Sequence, residues 1–387
     1  MFNANVGSSI LVNSYDAGME AAKLAMDNLN EIKMAFMYTS CEHDQEEVLK
    51  GASEVLKDVP IIGNTSFTGI ITQQGFIGGN TFVGIMVISS DDLAIGIAGV
   101  EKETDAREAG QKAALDAIEN SGKKQIPNYF YMVAPPGEEE SYLKGITDVI
   151  GRVPCFGGSA ADNTIEGKWK LFTNNGSFAD GVAVAFFFTD SSFANEYTGA
   201  YRETCNSGVI TKLSGKRTLV EIDGEPAIMK YSKWVSKDPS KLLGGNLLLE
   251  TILAPLGVKD RLGDLVAIRH PMFGNDDFSM NIGSNLAVNT CVIQMESTTD
   301  ELIYSVETAL KDLKEKLGED ISALHLIHCG GRRAGIGDRI NEVYGTIKKT
   351  VGTVPFIMEF TFGEYGFFDD GNNTCGGLML SFTAFGK

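Results

Sequence analysis

Histidine is scarce in this chain, with four residues in 387. The six cysteines (Cys41, Cys155, Cys205, Cys291, Cys329 and Cys375) stand far apart with no C-x-x-C pair. That spacing argues against a cysteine-based zinc site and a disulfide framework, and leads us to expect reduced thiols in the cytoplasm. Positive charge is also short: 33 Lys and Arg face 51 Asp and Glu, a formal net charge of −18. No basic stripe with interleaved aromatics offsets it, so neither nucleic acid nor an anionic membrane surface is an expected partner. Long apolar runs are missing too. The most apolar stretch, Val182 to Phe188, is far below the ~20 residues that span a bilayer. The first basic residue is Lys23, so no secretory signal is read. No Walker loop, G-x-G-x-x-G after a strand, H-E-x-x-H or G-x-S-x-G is found. No metal, cofactor or catalytic constellation is therefore expected.

What the chain does contain is self-similarity. Three short turns end in glycine: Gln73-Gln74-Gly75, Asn174-Asn175-Gly176 and Asp369-Asp370-Gly371. N-G and D-G accept the positive φ that tight hairpins need. Upstream of each lies a Val-Pro step into an apolar strand: Val59-Pro60, Val153-Pro154 and Val354-Pro355. Proline there ends a helix and loses no ladder bond. Ahead of each step runs an amphipathic helix, near 44–57, 138–151 and 336–351, and ahead of that an apolar strand. Earlier still, helices open on small polar caps around Asn13, Asp105 and Thr298. The copies span about 4–88, 93–188 and 287–386. About 100 residues of different, turn-rich texture precede the third, with a helix around 226–235. The expected fold is α/β, with mixed sheets built from three diverged βαβα-β-hairpin repeats and an inserted β-rich segment before the third.

Several local sequences, in order, resemble the FIST sensory domains. The best signature of the N-terminal module is Pro154-Cys155-Phe156-Gly157-Gly158-Ser159-Ala160-Ala161-Asp162. The C-terminal module is similar at Glu221-Ile222-Asp223-Gly224-Glu225-Pro226-Ala227, Ala254-Pro255-Leu256-Gly257-Val258, Arg269-His270-Pro271, Cys329-Gly330-Gly331-Arg332 and Gly363-Glu364. The resemblance divides the chain into residues 1–190, like FIST N, and 191–387, like FIST C. It implies cytoplasmic sensing of a small ligand, an amino acid or related small carboxylate, rather than catalysis. Family members often carry an output domain on the same chain. Here the modules take up nearly all of it, so a signal would pass to a separate partner protein or through homo-oligomerisation.

Candidate ligand residues follow from comparing the copies. The first two open their second helix with acids, Glu42-His43-Asp44 and Glu138-Glu139-Glu140, as the helix dipole prefers. The third has a glycine-rich loop instead, Cys329-Gly330-Gly331-Arg332-Arg333. Glycines allow close backbone approach and an arginine fork grips a carboxylate. The alternative is that Arg332 and Arg333 pair with surface acids. Arg269 and His270, stiffened by Pro271, form either a second ligand contact or an interdomain salt bridge. Glu364 receives a ligand ammonium or pairs with an arginine. Ser159, Asp162 and Asn163 follow Gly157-Gly158, which suggests close approach, although an Asx turn accounts for Asp162 as well. A thiol-dependent enzyme built on Cys329, with its pKa lowered beside arginine, is the competing reading. Against it, His328 points to the opposite strand face from Cys329. A ligand-free assembly protein is the third reading.

Overall fold

The computed structural model describes residues 2–259, 263, 265–368 and 373–387. The first unit runs β1 (Asn3–Ser9), α1 (Ser14–Met26), β2 (Ile32–Thr39), α2 (Gln45–Leu56), β3 (Ile61–Thr65), the hairpin β4 (Gly69–Thr72) and β5 (Gly75–Gly78), and β6 (Val83–Ser89). The second repeats that order as β7 (Ala94–Glu101), α3 (Ala106–Ser121), β8 (Tyr129–Ala134), α4 (Glu139–Ile150), β9 (Cys155–Ser159), β10 (Leu171–Thr173), β11 (Gly176–Phe178) and β12 (Gly181–Phe188). The third begins with β13 (Phe193–Thr198). The inserted segment follows: β14 (Arg202–Ser214), β15 (Thr218–Ile222), β16 (Glu225–Pro226), α5 (Ala227–Trp234), α6 (Asn246–Thr251), β17 (Leu256–Lys259), β18 (Leu265–Arg269), β19 (Pro271–Gly274), β20 (Met280–Ile282) and β21 (Cys291–Glu296). The third unit then resumes with α7 (Thr299–Leu317), β22 (Ala323–Cys329), α8 (Gly330–Ile336), α9 (Ile340–Val351), β23 (Phe356–Thr361), β24 (Glu364–Phe367), β25 (Asn373–Gly376) and β26 (Leu380–Phe385).

The fold is thus α/β with mixed sheets and repeated units. The inserted segment precedes the helices and inner strands of the third unit. One boundary moves: the edge strand of that unit is β13, which pairs with β26 as β1 pairs with β6 and β7 with β12. Residues 291–296 instead join the inserted sheet through β14 and β17. Hairpin turns form after Thr72 and Thr173 as expected; Asp369-Asp370-Gly371 lies outside the described residues.

Helix starts follow the side chains that cap them. Asn13 and Asp105 accept first-turn N–H groups of α1 and α3, and Thr298 forms a capping box with Glu301 on α7. In the first two units the helix pair packs through glycine. A Cβ on Gly51 would lie 2.0 Å from the Tyr15 carbonyl oxygen, and one on Gly145 would lie 2.0 Å from that of Arg107.

Each unit's hairpin leaves its own sheet. β4 of the first unit pairs with β23 of the third, β10 of the second with β3 of the first, and β24 of the third with β9 of the second. The exchange closes a ring around one shared core, to which the units contribute Phe36 and Ile62, Tyr129 and Phe156, and Ile327 and Phe385. Outward faces pack under their own helices in separate clusters. The shared core also encloses a polar network. Tyr38 hydrogen-bonds His325; the Tyr131 hydroxyl donates to Asn64 Oδ1 at 3.1 Å; Asn64 Nδ2 donates to Glu359 Oε2 at 2.7 Å. All five residues are fully buried. Burial pushes the Glu359 carboxyl up to about 8 and His325 down to about 3, so both are neutral at neutral pH.

Candidate functional site

The ends of the inner strands gather loops from all three units and from the inserted segment. They enclose a cavity of about 220 Å³. Phe67 comes from the first unit, and Asn163, Thr164 and Ile165 from the second. The inserted segment supplies Leu248, Leu249, Ile252, His270, Met272 and Gly283. The third contributes Cys329, Gly330, Gly331, Ala334, Phe362 and Gly377. No Asp, Glu, Lys or Arg lines it among the described residues. Its one titratable ring, His270, is 5% exposed and has Nε2 3.3 Å from the Leu248 carbonyl oxygen. Burial pushes His270 down to about 4, so it is neutral at neutral pH. A wider cleft of about 560 Å³ between α7 and α9 is lined by Lys311, Lys314, Lys349 and Lys387 together with Glu307 and Asp320. None of the expected site residues lines it.

Of the residues singled out in the sequence, Cys329, Gly330, Gly331, His270 and Asn163 line the cavity. The glycine-rich run is not a loop: it forms the short helix α8, with Cys329 at its N-cap. The glycines serve close packing, since a Cβ on Gly331 would lie 2.7 Å from Leu378 and 3.3 Å from the His270 ring. Cys329 Sγ accepts N–H groups from Gly331 at 3.3 Å and Leu378 at 3.2 Å. Burial, with Glu364 adding to it, nevertheless pushes the thiol up, opposite to what a nucleophile needs. His328 Nδ1 lies 3.0 Å from the Cys329 carbonyl oxygen and not at the thiol.

The remaining candidates lie behind the cavity wall or away from it. Arg332 is fully buried, and its Nη2 donates to the Leu302 carbonyl at 2.9 Å and to Ser305 Oγ at 2.7 Å, both on α7. Its Nε and Nη1 have no hydrogen-bond partner among the described residues. Arg333 donates to the Gly337 carbonyl and lies over the Phe76 ring at 4.9 Å. Among the described residues, neither arginine forms an ion pair with a surface acid. Arg269 Nη1 donates to the backbone carbonyl of Cys375 at 3.2 Å. Glu364 is fully buried, accepts from Thr361 Oγ1 and the Met379 N–H at 2.9 Å each, and is pushed up to about 8 by burial. Ser159 Oγ hydrogen-bonds Glu139 at 3.2 Å and the Tyr365 hydroxyl at 2.8 Å. Asp162 organises its own loop, as an Asx turn does, by accepting N–H groups from Thr164, Ile165, Glu166 and Lys168.

Sequence reasoning missed the apolar wall: Phe67, Ile165, Leu248, Leu249, Ile252, Met272 and Phe362. Each is an ordinary core residue by type, and only the tertiary fold brings them together. No motif marks them.

The fold and cavity define a repeat-built α/β protein whose units meet around one small, uncharged chamber. The chain belongs to the FIST family: the FIST N domain matches residues 33–225 and the FIST C domain residues 227–366. No curated protein matches the sequence. Among solved structures, a cyanuric acid hydrolase from A. caulinodans is similar at 11% identity and TM-score 0.37, covering 100% of both chains. A second cyanuric acid hydrolase structure gives 10% identity and TM-score 0.36, again over 100% of both chains. Phosphoribosylformylglycinamidine synthase II from Thermotoga maritima gives 8% identity and TM-score 0.24, over 100% of this chain and 72% of that one. No helix among the described residues is long and apolar enough to cross a membrane.

Proposed function

We propose that this protein is a sensory module that takes a small ligand into the 220 Å³ cavity and passes the signal to a separate partner protein or through self-association. The observation that carries this reading is the origin of the cavity wall. Phe67, Asn163 and Ile165 belong to the stretch matched by FIST N, and Leu248, His270 and Cys329 to that matched by FIST C. A ligand there touches both and couples them, because binding favours whichever relative arrangement completes the wall. The modules are taken as residues 1–190 and 191–387, which keeps β13 with its partner strand β26. Six free cysteines support a reducing compartment such as the cytoplasm.

An apolar wall with a neutral imidazole favours an uncharged ligand, since a buried charge needs a partner. A second reading keeps the amino acid or small carboxylate and is favoured by one observation: Nε and Nη1 of Arg332 have no hydrogen-bond partner among the described residues. That residue sits on α8, whose Gly330, Gly331 and Ala334 form part of the wall. A thermal-shift screen across amino acids, small carboxylates, nucleobases and uncharged amphiphiles tests both readings. Stabilisation by uncharged compounds alone supports the first. Stabilisation by carboxylates that disappears in Arg332→Met supports the second. No stabilisation by any compound, with concentration-dependent oligomers, would sink both in favour of an assembly role.

A further inference from the structure

The connection from β9 to β10 occupies residues 160–170, whereas the matching connections occupy only 66–68 in the first unit and 362–363 in the third. The scaffold makes the same link without the extra length. Within the long connection Ile165 has φ +60°, a left-handed conformation that β-branched residues avoid and glycine adopts freely. Asp162 holds it there. Its carboxylate, fully buried, receives the N–H groups of Thr164 and Ile165 on one oxygen and those of Glu166 and Lys168 on the other. Asn163 anchors the loop to the first unit, its Oδ1 accepting the Thr68 N–H at 2.9 Å. The outcome is a side chain that lines the cavity while 46% exposed. Leu249 on α6, 69% exposed, is the other strongly exposed apolar residue of the lining. Residues that are at once lining and exposed mark the mouth of the chamber.

We infer that Ile165 is a specificity-determining residue: with Leu249 it forms the lip that limits the length of an uncharged amphiphile entering the cavity. The strained backbone is retained because the lip needs a branched aliphatic side chain at that position. This inference rests on the ligand-binding reading above, with an uncharged ligand.

Linear alcohols from butanol to dodecanol, titrated calorimetrically into the full chain, serve as probes. The parent protein is expected to bind more tightly as the alcohol lengthens, up to a limit, and weakly beyond it. Ile165→Gly should move that limit to longer alcohols and bind those roughly tenfold more tightly than the parent, the equivalent of one or two methylene groups newly accommodated. It should melt no lower than the parent, since glycine relieves the φ. Ile165→Ala removes the lip but keeps the unfavourable φ, and should show the same shift in limit. An unchanged limit in both variants, with alcohols still binding, overturns the role of Ile165 and leaves the ligand-binding reading intact. If no alcohol binds the parent, the uncharged-ligand reading falls and this inference with it.

Discussion

At the scale of single side chains, Glu359 and Glu364 each keep a proton that water would remove. Burial raises both from an ordinary 4.5 to about 8. Unfolding therefore releases protons between those values. The contribution of each group is fully present below about pH 4.5 and is lost as pH rises through about 8. Glu359→Gln preserves the bond from Asn64 and cannot ionise. Its urea-unfolding free energy is expected to fall less steeply than the parent's between these limits, by an amount on the order of a few kcal/mol at the alkaline end. Parallel profiles for parent and variant would show that Glu359 does not titrate in this way. The sequence marks Glu364 as a ligand or ion-pair residue and does not mark Glu359. Neither burial nor the missing counter-charge is legible locally, because the groups around Glu359 come from three different units. Arg332 shows the same limit. Its position beside two glycines stands out in the sequence, but the direction of its side chain, toward α7, is set by packing.

At the scale of elements, glycine separates the repeats. Gly51 and Gly345 both lie inside helices, α2 and α9. A Cβ on Gly51 would meet the Tyr15 carbonyl oxygen at 2.0 Å, whereas one on Gly345 would meet nothing within 4 Å. Gly51→Ala should therefore destabilise the protein by about 2–3 kcal/mol by forcing α1 and α2 apart. Gly345→Ala should stabilise it by up to about 1 kcal/mol through helix propensity alone. Urea midpoints check both, and equal signs would refute the assignment of Gly51 to a helix contact. Strands and caps were the most legible elements, since Val-Pro steps, N-G turns and Asn, Asp and Thr caps act through local geometry. The run from Gly330 to Ile336 was not, because its glycines read as loop. They form a helix instead, one that needs small residues where it meets Leu378 and Phe362.

At the scale of the molecule, the exchanged hairpins make each unit depend on its neighbours. Residues 1–190 alone would leave β9 without β24 and β4 without β23. That piece is expected to associate or to unfold without cooperativity, while the full chain melts in a single calorimetric transition. A monomeric fragment melting sharply at the parent's temperature would count against it. The repeat itself is legible in the sequence, because like segments recur in order. The exchange is not, because pairing between units leaves no mark on local periodicity. It has a consequence in time. Thr72 pairs with Ile357, 285 positions later in the chain. At roughly 5–20 residues per second, the ribosome takes about 15–60 s to supply that partner. For that interval the first hairpin has no strand to join. A nascent chain of this protein must stay soluble with an open sheet edge until β23 has emerged, which makes synthesis, rather than the finished fold, the stage at which it is most exposed to aggregation and to chaperones.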